Sequence, residues 1–164
     1  MSKKEVKQKF ISTGVVAENR RARFNYAIGE TFEAGLSLTG GEVKSLRLGR
    51  ANIADGYVSP DAKGLVINNI TIGKFEAESP FAARTEKRPR RLLMKQKEIE
   101  KIAGAFSAKG STIIPLRLYF NDRGKAKLLI AIATGKQNFD KRATIKEREW
   151  KREKQRLMKV SRTS

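Results

Sequence analysis

The chain contains no cysteine and no histidine. Without cysteine there are neither disulfides nor thiolate chemistry, and without histidine the commonest general base and the commonest zinc ligand are missing. Several large enzyme classes are thereby excluded. Long apolar runs are lacking too: nothing approaches the ~18 consecutive apolar residues of a membrane span. The start, Met1-Ser-Lys-Lys-Glu-Val-Lys-Gln-Lys, has no signal-peptide core. The expected setting is the cytoplasm, with no membrane partner.

Positive charge is present in excess. Lys and Arg number 36 against 17 Asp and Glu in 164 residues, a net charge of +19 and a pI near 10.5. The charge is uneven. Met1 to Arg23 hold 7 basic and 2 acidic residues, Arg84 to Lys101 hold 8 and 3, and Lys136 to Ser164 hold 11 and 4, leaving only +2 for the rest. A nearly neutral body with basic segments points first to nucleic acid, because clustered cations capture a polyanion by releasing its counterions. The 39% hydrophobic content suffices for one modest core.

Phe32, Ala34, Leu36 and Leu38 alternate with Glu33 and Ser37 as in a half-buried strand, which turns Glu33 away from the apolar side. Thr39-Gly-Gly-Glu42 has the pattern of a capping box and predicts a short helix through Val43 and Leu46, ending at Gly49. Ile53 to Val58 and Leu65 to Ile72 read as a hairpin across Ser59-Pro-Asp-Ala-Lys-Gly64. Leu92, Leu93, Ile99, Ile102, Ala103 and Phe106 follow helical spacing, closed by Gly110. Ile114, Leu116, Leu118 and Phe120 alternate, Asn121-Asp-Arg-Gly124 turns the chain, and Ala126, Leu128, Ile130 and Ile132 alternate back. Five or six strands with two or three helices predict a mainly β fold, an OB-like antiparallel barrel over residues 1–135.

Residues 136–164 differ. Between Asp140 and Lys159 the apolar residues are Ala143, Ile145, Trp150, Leu157 and Met158, too narrow a stripe to bury, although helix formers dominate. The expectation is a tail disordered when free and helical on an RNA surface.

No catalytic site emerges. Glu33, Glu42 and Asp55 lie on separate elements with no short acidic motif, Thr39-Gly-Gly-Glu42 lacks the lysine of a P-loop, and no motif singles out a Ser–Lys pair. No metal or cofactor is expected.

Asn19-Arg-Arg-Ala-Arg23, then Phe32-Glu-Ala-Gly35 leading into Gly40-Gly-Glu-Val-Lys-Ser-Leu-Arg47 and Arg50-Ala-Asn52, and finally Asp140-Lys-Arg142 with Ile145-Lys-Glu-Arg-Glu-Trp150-Lys-Arg152, together resemble the SsrA-binding protein (small protein B) family. The match runs almost end to end. The resemblance implies a non-enzymatic adaptor that binds the tRNA-like domain of transfer-messenger RNA and delivers it to stalled ribosomes for trans-translation. It implies contact with small-subunit rRNA, and with elongation factor Tu and alanyl-tRNA synthetase indirectly through the RNA. The chain would act as a monomer. The competing reading is a ribosomal or ribosome-assembly rRNA-binding protein.

By the family pattern Asn19, Arg20, Arg21, Glu33 and Lys127 would meet the elbow of the tRNA-like domain, together with Arg23 and with Phe24, which stands where the family usually has histidine. Asn19 has the donor and acceptor to pair with a base edge, and competes as a turn residue. Glu33 would accept from a base amino group or 2′-OH, or orient Arg20 or Arg21. Lys44 and Arg47, three apart on one helix, are candidates for phosphate contact against plain solvation. Tyr57 reads as half-core, ahead of a base-stacking platform, and Leu93 as core on the amphipathic helix, against the RNA contact that the family pattern implies near it. In the tail, Lys136, Lys141, Arg142, Lys146, Arg148, Lys151 and Arg152 are candidate rRNA contacts, Asp140 a helix cap, and Trp150 a stacking ring. Phe139 replaces a second histidine. Thr134 and Gln137 thin the expected lysine run.

Overall fold

A computed structural model describes residues 10–75, 86–108, 110–136 and 138–163, the side chains at 138–141, 143, 144 and 160–163 excepted. Expectations for Gln137 and for the side chains of Phe139, Asp140 and Lys141 lie outside the described residues.

The elements run β1 (Gly14–Glu18), α1 (Ala22–Asn25), β2 (Tyr26–Leu36), α2 (Gly40–Arg47), β3 (Ala51–Asn52), β4 (Tyr57–Asp61), β5 (Gly64–Asn68), β6 (Thr71–Ile72), β7 (Arg90–Leu93), α3 (Gln96–Phe106), β8 (Ser111–Phe120), β9 (Ala126–Gly135) and α4 (Asn138–Thr163). Seven strands form one antiparallel sheet in the order β1-β8-β9-β2-β7-β5-β4, and β3 pairs with β6 apart from it. β4, at one end of that order, packs against β8 near the other, so the sheet curls back on itself. This is the mainly β, OB-like architecture. Its inside holds Phe32, Ala34, Leu46, Ile67, Leu118, Phe120, Leu128 and Ile130.

The capping box forms as its spacing requires: Thr39 Oγ1 accepts from the Glu42 N–H at 3.2 Å, and Glu42 Oε1 accepts from the Thr39 N–H at 3.0 Å. Gly49 ends the helix region at φ +74°. Glu42 is fully buried all the same, because its carboxylate also receives Arg88 and the buried Arg90, whose Nε lies 2.5 Å from Oε2. Arg90 further donates to the carbonyls of Ile70, Arg88 and Glu86. Burial pushes the Glu42 carboxyl up, but the hydrogen bonds from Arg88, the Thr39 N–H and Arg90 outweigh it and hold the group below its ordinary value.

Three expected elements differ. The β4–β5 hairpin turns tightly between Asp61 and Gly64, and Pro60 sits inside β4 opposite Leu65. The run from Ile53 to Val58 is broken by a turn at 54–55, and β3 leaves to pair with β6. Leu92 and Leu93 belong to β7 rather than to the helix: Leu92 is buried, whereas Leu93 is 55% exposed. The alternation along β8 also changes phase. Pro115 pairs with Ile130 and Arg117 with Leu129, so Leu116 is the extra residue of a bulge. Leu118 and Phe120 therefore enter the main core, while Ile114 and Leu116 join Ala22, Ala131 and Ala133 in a second cluster on the outer face.

Gly56 is set by contact. A Cβ there would stand 2.5 Å from Ile70 Cγ2 and 2.9 Å from Pro115 Cγ. Gly56→Ala is expected to lower the free energy of unfolding by about 1–3 kcal/mol in a denaturant titration, the ordinary cost of overpacking.

The tail is one continuous 26-residue helix. Lys, Arg, Glu and Gln carry it on intrinsic propensity, and Lys151 and Glu147 pair one turn apart at 3.2 Å. The narrow stripe remains unburied: Ile145, Trp150, Leu157 and Met158 are all exposed.

Candidate nucleic-acid interface

The outer face of β1, β8, β9 and β2 divides at the β8 bulge. On one side α1 covers the small apolar cluster; on the other the face is polar. Asn19 fixes the boundary. Its N–H donates to the Leu116 carbonyl at 2.8 Å and its Nδ2 to the Pro115 carbonyl at 3.0 Å, both at the bulge where the ladder with β9 is interrupted. One N–H of the amide is thus committed to backbone, and Asn19 positions the chain that carries Arg20, Arg21 and Arg23. It is not the helix cap: Arg21 occupies that position, without a side-chain bond.

An open cleft of about 490 Å³ lies along the bulge, lined by Glu18, Asn19, Arg20, Arg23, Leu116, Arg117 and Leu129. Three arginines around one cleft, Arg20 ahead of α1, Arg23 within it and Arg117 on β8, make a site for phosphate oxygens, since arginine presents fixed forks of donors. Arg21 is exposed beside it and does not line it.

Register continues the face. Glu33 on β2 stands opposite Leu129 on β9, and Tyr119 on β8 stands opposite Lys127 on β9. The Tyr119 hydroxyl donates to Glu33 Oε2, so the partner of Glu33 is Tyr119 rather than Arg20 or Arg21. Partial burial, then the hydrogen bond and the negative charge of Glu33, push the Tyr119 phenol up to about 12, with Arg117 opposing them. Tyr119 accordingly stays a donor at any physiological pH. The structure thus brings Asn19, Arg20, Arg23, Glu33 and Lys127 onto one face, and adds Arg117 and Tyr119.

A family model for SmpB protein matches residues 16–160. The chain belongs to the SmpB family. It is 57% identical over 147 residues to the SsrA-binding protein of Maricaulis maris (strain MCS10), covering 90% of this chain and 94% of that relative. The SsrA-binding protein of Novosphingobium aromaticivorans is 51% identical over 154 residues, covering 94% and 96%. A chain in the solved structure "tmRNA-SmpB: a journey to the center of the bacterial ribosome" is similar to this one with a TM-score of 0.63 at 39% identity, covering 77% of this chain and 86% of that one.

Within this SmpB-family chain the remaining candidates lie elsewhere. Arg47 is half-buried: it donates to the carbonyls of Ile11, Ser12 and Gly124 and lies 3.9 Å from the Phe120 ring centre. That guanidinium is a strut joining the N-terminal segment to the β8–β9 turn, which neither phosphate contact nor plain solvation anticipated. Lys44 is exposed, with Nζ 5.4 Å from the Phe75 ring. Lys136 Nζ donates to the Arg23 carbonyl at 2.9 Å, and the Arg148 guanidinium sits 5.9 Å from the Phe24 ring, so the start of the tail lies beside α1. Arg142, Lys146, Lys151 and Arg152 are exposed on α4, and Thr134 is exposed near the end of β9. Among the described residues no cluster of carboxylates suits a metal ion.

Removing the hydroxyl alone tests the Glu33 arrangement. Tyr119→Phe is expected to weaken RNA binding by about three- to tenfold with little change in thermal melting, because a carboxylate without its donor no longer holds one orientation. Equal affinity of the two proteins in a filter-binding assay would remove Tyr119 from the interface.

Proposed function

We propose that the chain is a cytoplasmic RNA-binding adaptor of trans-translation. It binds the tRNA-like domain of tmRNA (SsrA) and brings that RNA to ribosomes stalled without a stop codon. The observation that carries the reading is the cationic cleft at the β8 bulge, in a chain alike over 90% of its length to an SsrA-binding protein. Arg20, Arg23, Arg117 and Lys127 position the RNA through phosphate, and Glu33, held by Tyr119, accepts from a base amino group or a 2′-OH. It works by binding alone: of the carboxylates a nuclease would need, Glu42 is buried in ion pairs and Glu33 is bonded to Tyr119.

The tail meets a second RNA surface. Arg142, Lys146, Arg148, Lys151 and Arg152 reach ribosomal phosphates in the empty mRNA channel, and the exposed Trp150 stacks on a base there. In free solution the outer turns of α4 exchange between helix and coil, since the exposed Ile145, Trp150, Leu157 and Met158 give it little of the tertiary packing that stabilises most helices. Neutralisation by phosphate shifts it to helix.

The test is a salt series on the tRNA-like domain. Affinity is expected to fall with salt at a log–log slope of about −0.7 to −0.9 per phosphate contacted, and Arg23→Ala is expected to lower that slope by about one contact. A salt-insensitive complex would overturn the assignment.

A further inference from the structure

A second cleft, of about 450 Å³, opens on the other side of Asn19, between the start of β2 and the turns that follow β3 and β5. Its chemistry contrasts with that of the arginine cleft. Its lining includes Asn19, Asn25, Asn69, Tyr26, Tyr57 and Asp55, with no Lys or Arg among the lining residues. A phosphate finds no cation there and one repelling charge. A planar, uncharged ligand finds hydrogen-bonding partners and aromatic surface, and a volume in the range of small-molecule sites.

The cleft is built rather than incidental. Gly56 lets the 54–57 turn settle onto Ile70 and Pro115, which fixes the floor. Asn69 adopts φ +60° and its Nδ2 donates to the Asp55 carbonyl at 3.2 Å, tying one rim to the other. At the mouth, Tyr57 is 49% exposed, where sequence patterning suggested half-core.

From these placements we propose that this cleft takes one unpaired nucleobase carrying an exocyclic amino group, stacked on Tyr57 with its amino edge toward Asp55. The inference rests on the RNA-binding reading above and extends it. Both clefts share Asn19. A nucleotide whose phosphate lies among Arg20, Arg23 and Arg117 has its base beside the neutral cleft. Splayed bases in RNA loops are recognised in this way, by stacking and by hydrogen bonds to their edges.

The experiment measures binding of the tRNA-like domain of tmRNA by full-length protein across a salt series. Tyr57→Ala is expected to weaken binding about tenfold, the size of one lost base stack, with the salt slope unchanged. Tyr57→Phe is expected to bind as wild type, because the ring does the stacking. In side-chain amide NMR, the Asn25 and Asn69 signals are expected to shift on adding the RNA. Wild-type affinity for Tyr57→Ala, a reduced salt slope for it, a Phe variant as weak as the Ala variant, or unmoved amide signals would each overturn the base site. With Arg23→Ala still weakened, the RNA-binding function stands after such a result; wild-type protein without affinity for the RNA would bring down both.

Discussion

Glu42→Gln is expected to cost about 3–5 kcal/mol of unfolding free energy, more than any other single change suggested by the fold, because it leaves a buried guanidinium without its counter-charge. Arg90 is fully buried and cannot turn to water. Its Nε would face a neutral amide where it now meets Oε2 at 2.5 Å, and Arg88 would lose the same carboxylate. Glu42 also holds the Thr39 N–H that starts α2, so the cap weakens together with the ion pairs. A second variant separates charge from architecture. Glu42→Gln with Arg90→Met removes the stranded cation but also the donors to the carbonyls of Ile70, Arg88 and Glu86. It is expected to recover part of the loss, and denaturant midpoints of the three proteins measure that part. A loss below about 1 kcal/mol for Glu42→Gln would show the pair to be solvated.

The same carboxylate gives an acid dependence with a definite sign. Its folded pKa lies below the ordinary 4.5, so its stabilisation is fully present above that pH and is lost as pH falls through the folded value. The stability gap between wild type and Glu42→Gln is therefore constant near neutrality and narrows below about pH 4.5.

The sequence pattern reveals most where a single period governs burial. In β9, Leu128 and Ile130 face inward at a period of two, and the turn at Gly124, with φ +73°, joins it to β8 as its residue types require. β8 obeys the same rule only until Leu116, where one extra residue exchanges the faces. Pattern alone does not reveal that slip, because apolar residues stand on both sides of it and both faces are covered. The partner of Arg90 is hidden for a different reason: Glu42 lies 48 positions earlier, and a charged residue reads as exposed unless its partner is known. Leu93 continues a helical spacing by coincidence, and β-pairing with Gly35 overrides it.

For the interface, the residues of the Asn19–Arg23 stretch, Glu33 and Lys127 were legible, and the structure sets most of them on one face. Arg117 and Tyr119 were not. They flank Leu118 at a spacing that places them outward, yet only the register of β8 against β9, and of β9 against β2, brings them to the cleft and to Glu33. Asn19 carries a different lesson, since its amide suggested a base contact and the fold also uses one of its two N–H donors at the bulge.

A chain ending at Gly135 is expected to bind the tRNA-like domain within about fivefold of the full protein and to lose ribosome rescue altogether. The first half follows from where the cleft lies. Arg20, Arg23, Arg117, Glu33 and Lys127 all precede the cut, and among the described residues the tail meets the body at its edge, through hydrogen bonds from the Lys136 N–H to the Asn25 carbonyl and from Lys136 Nζ to the Arg23 carbonyl, and through the Arg148 guanidinium near the Phe24 ring. Exposed interactions of that kind are worth up to about 1 kcal/mol each. The second half follows from the charge. Residues 136–164 contain 11 basic and 4 acidic residues, and among the described residues Ile145, Trp150, Leu157 and Met158 are exposed, so the segment presents its excess positive charge to a second polyanion. Anisotropy with a labelled tRNA-like fragment measures the first property, and peptide release from ribosomes stalled on a message without a stop codon measures the second. Affinity and rescue falling together would mean that body and tail grip one RNA surface, and the adaptor would have one site instead of two.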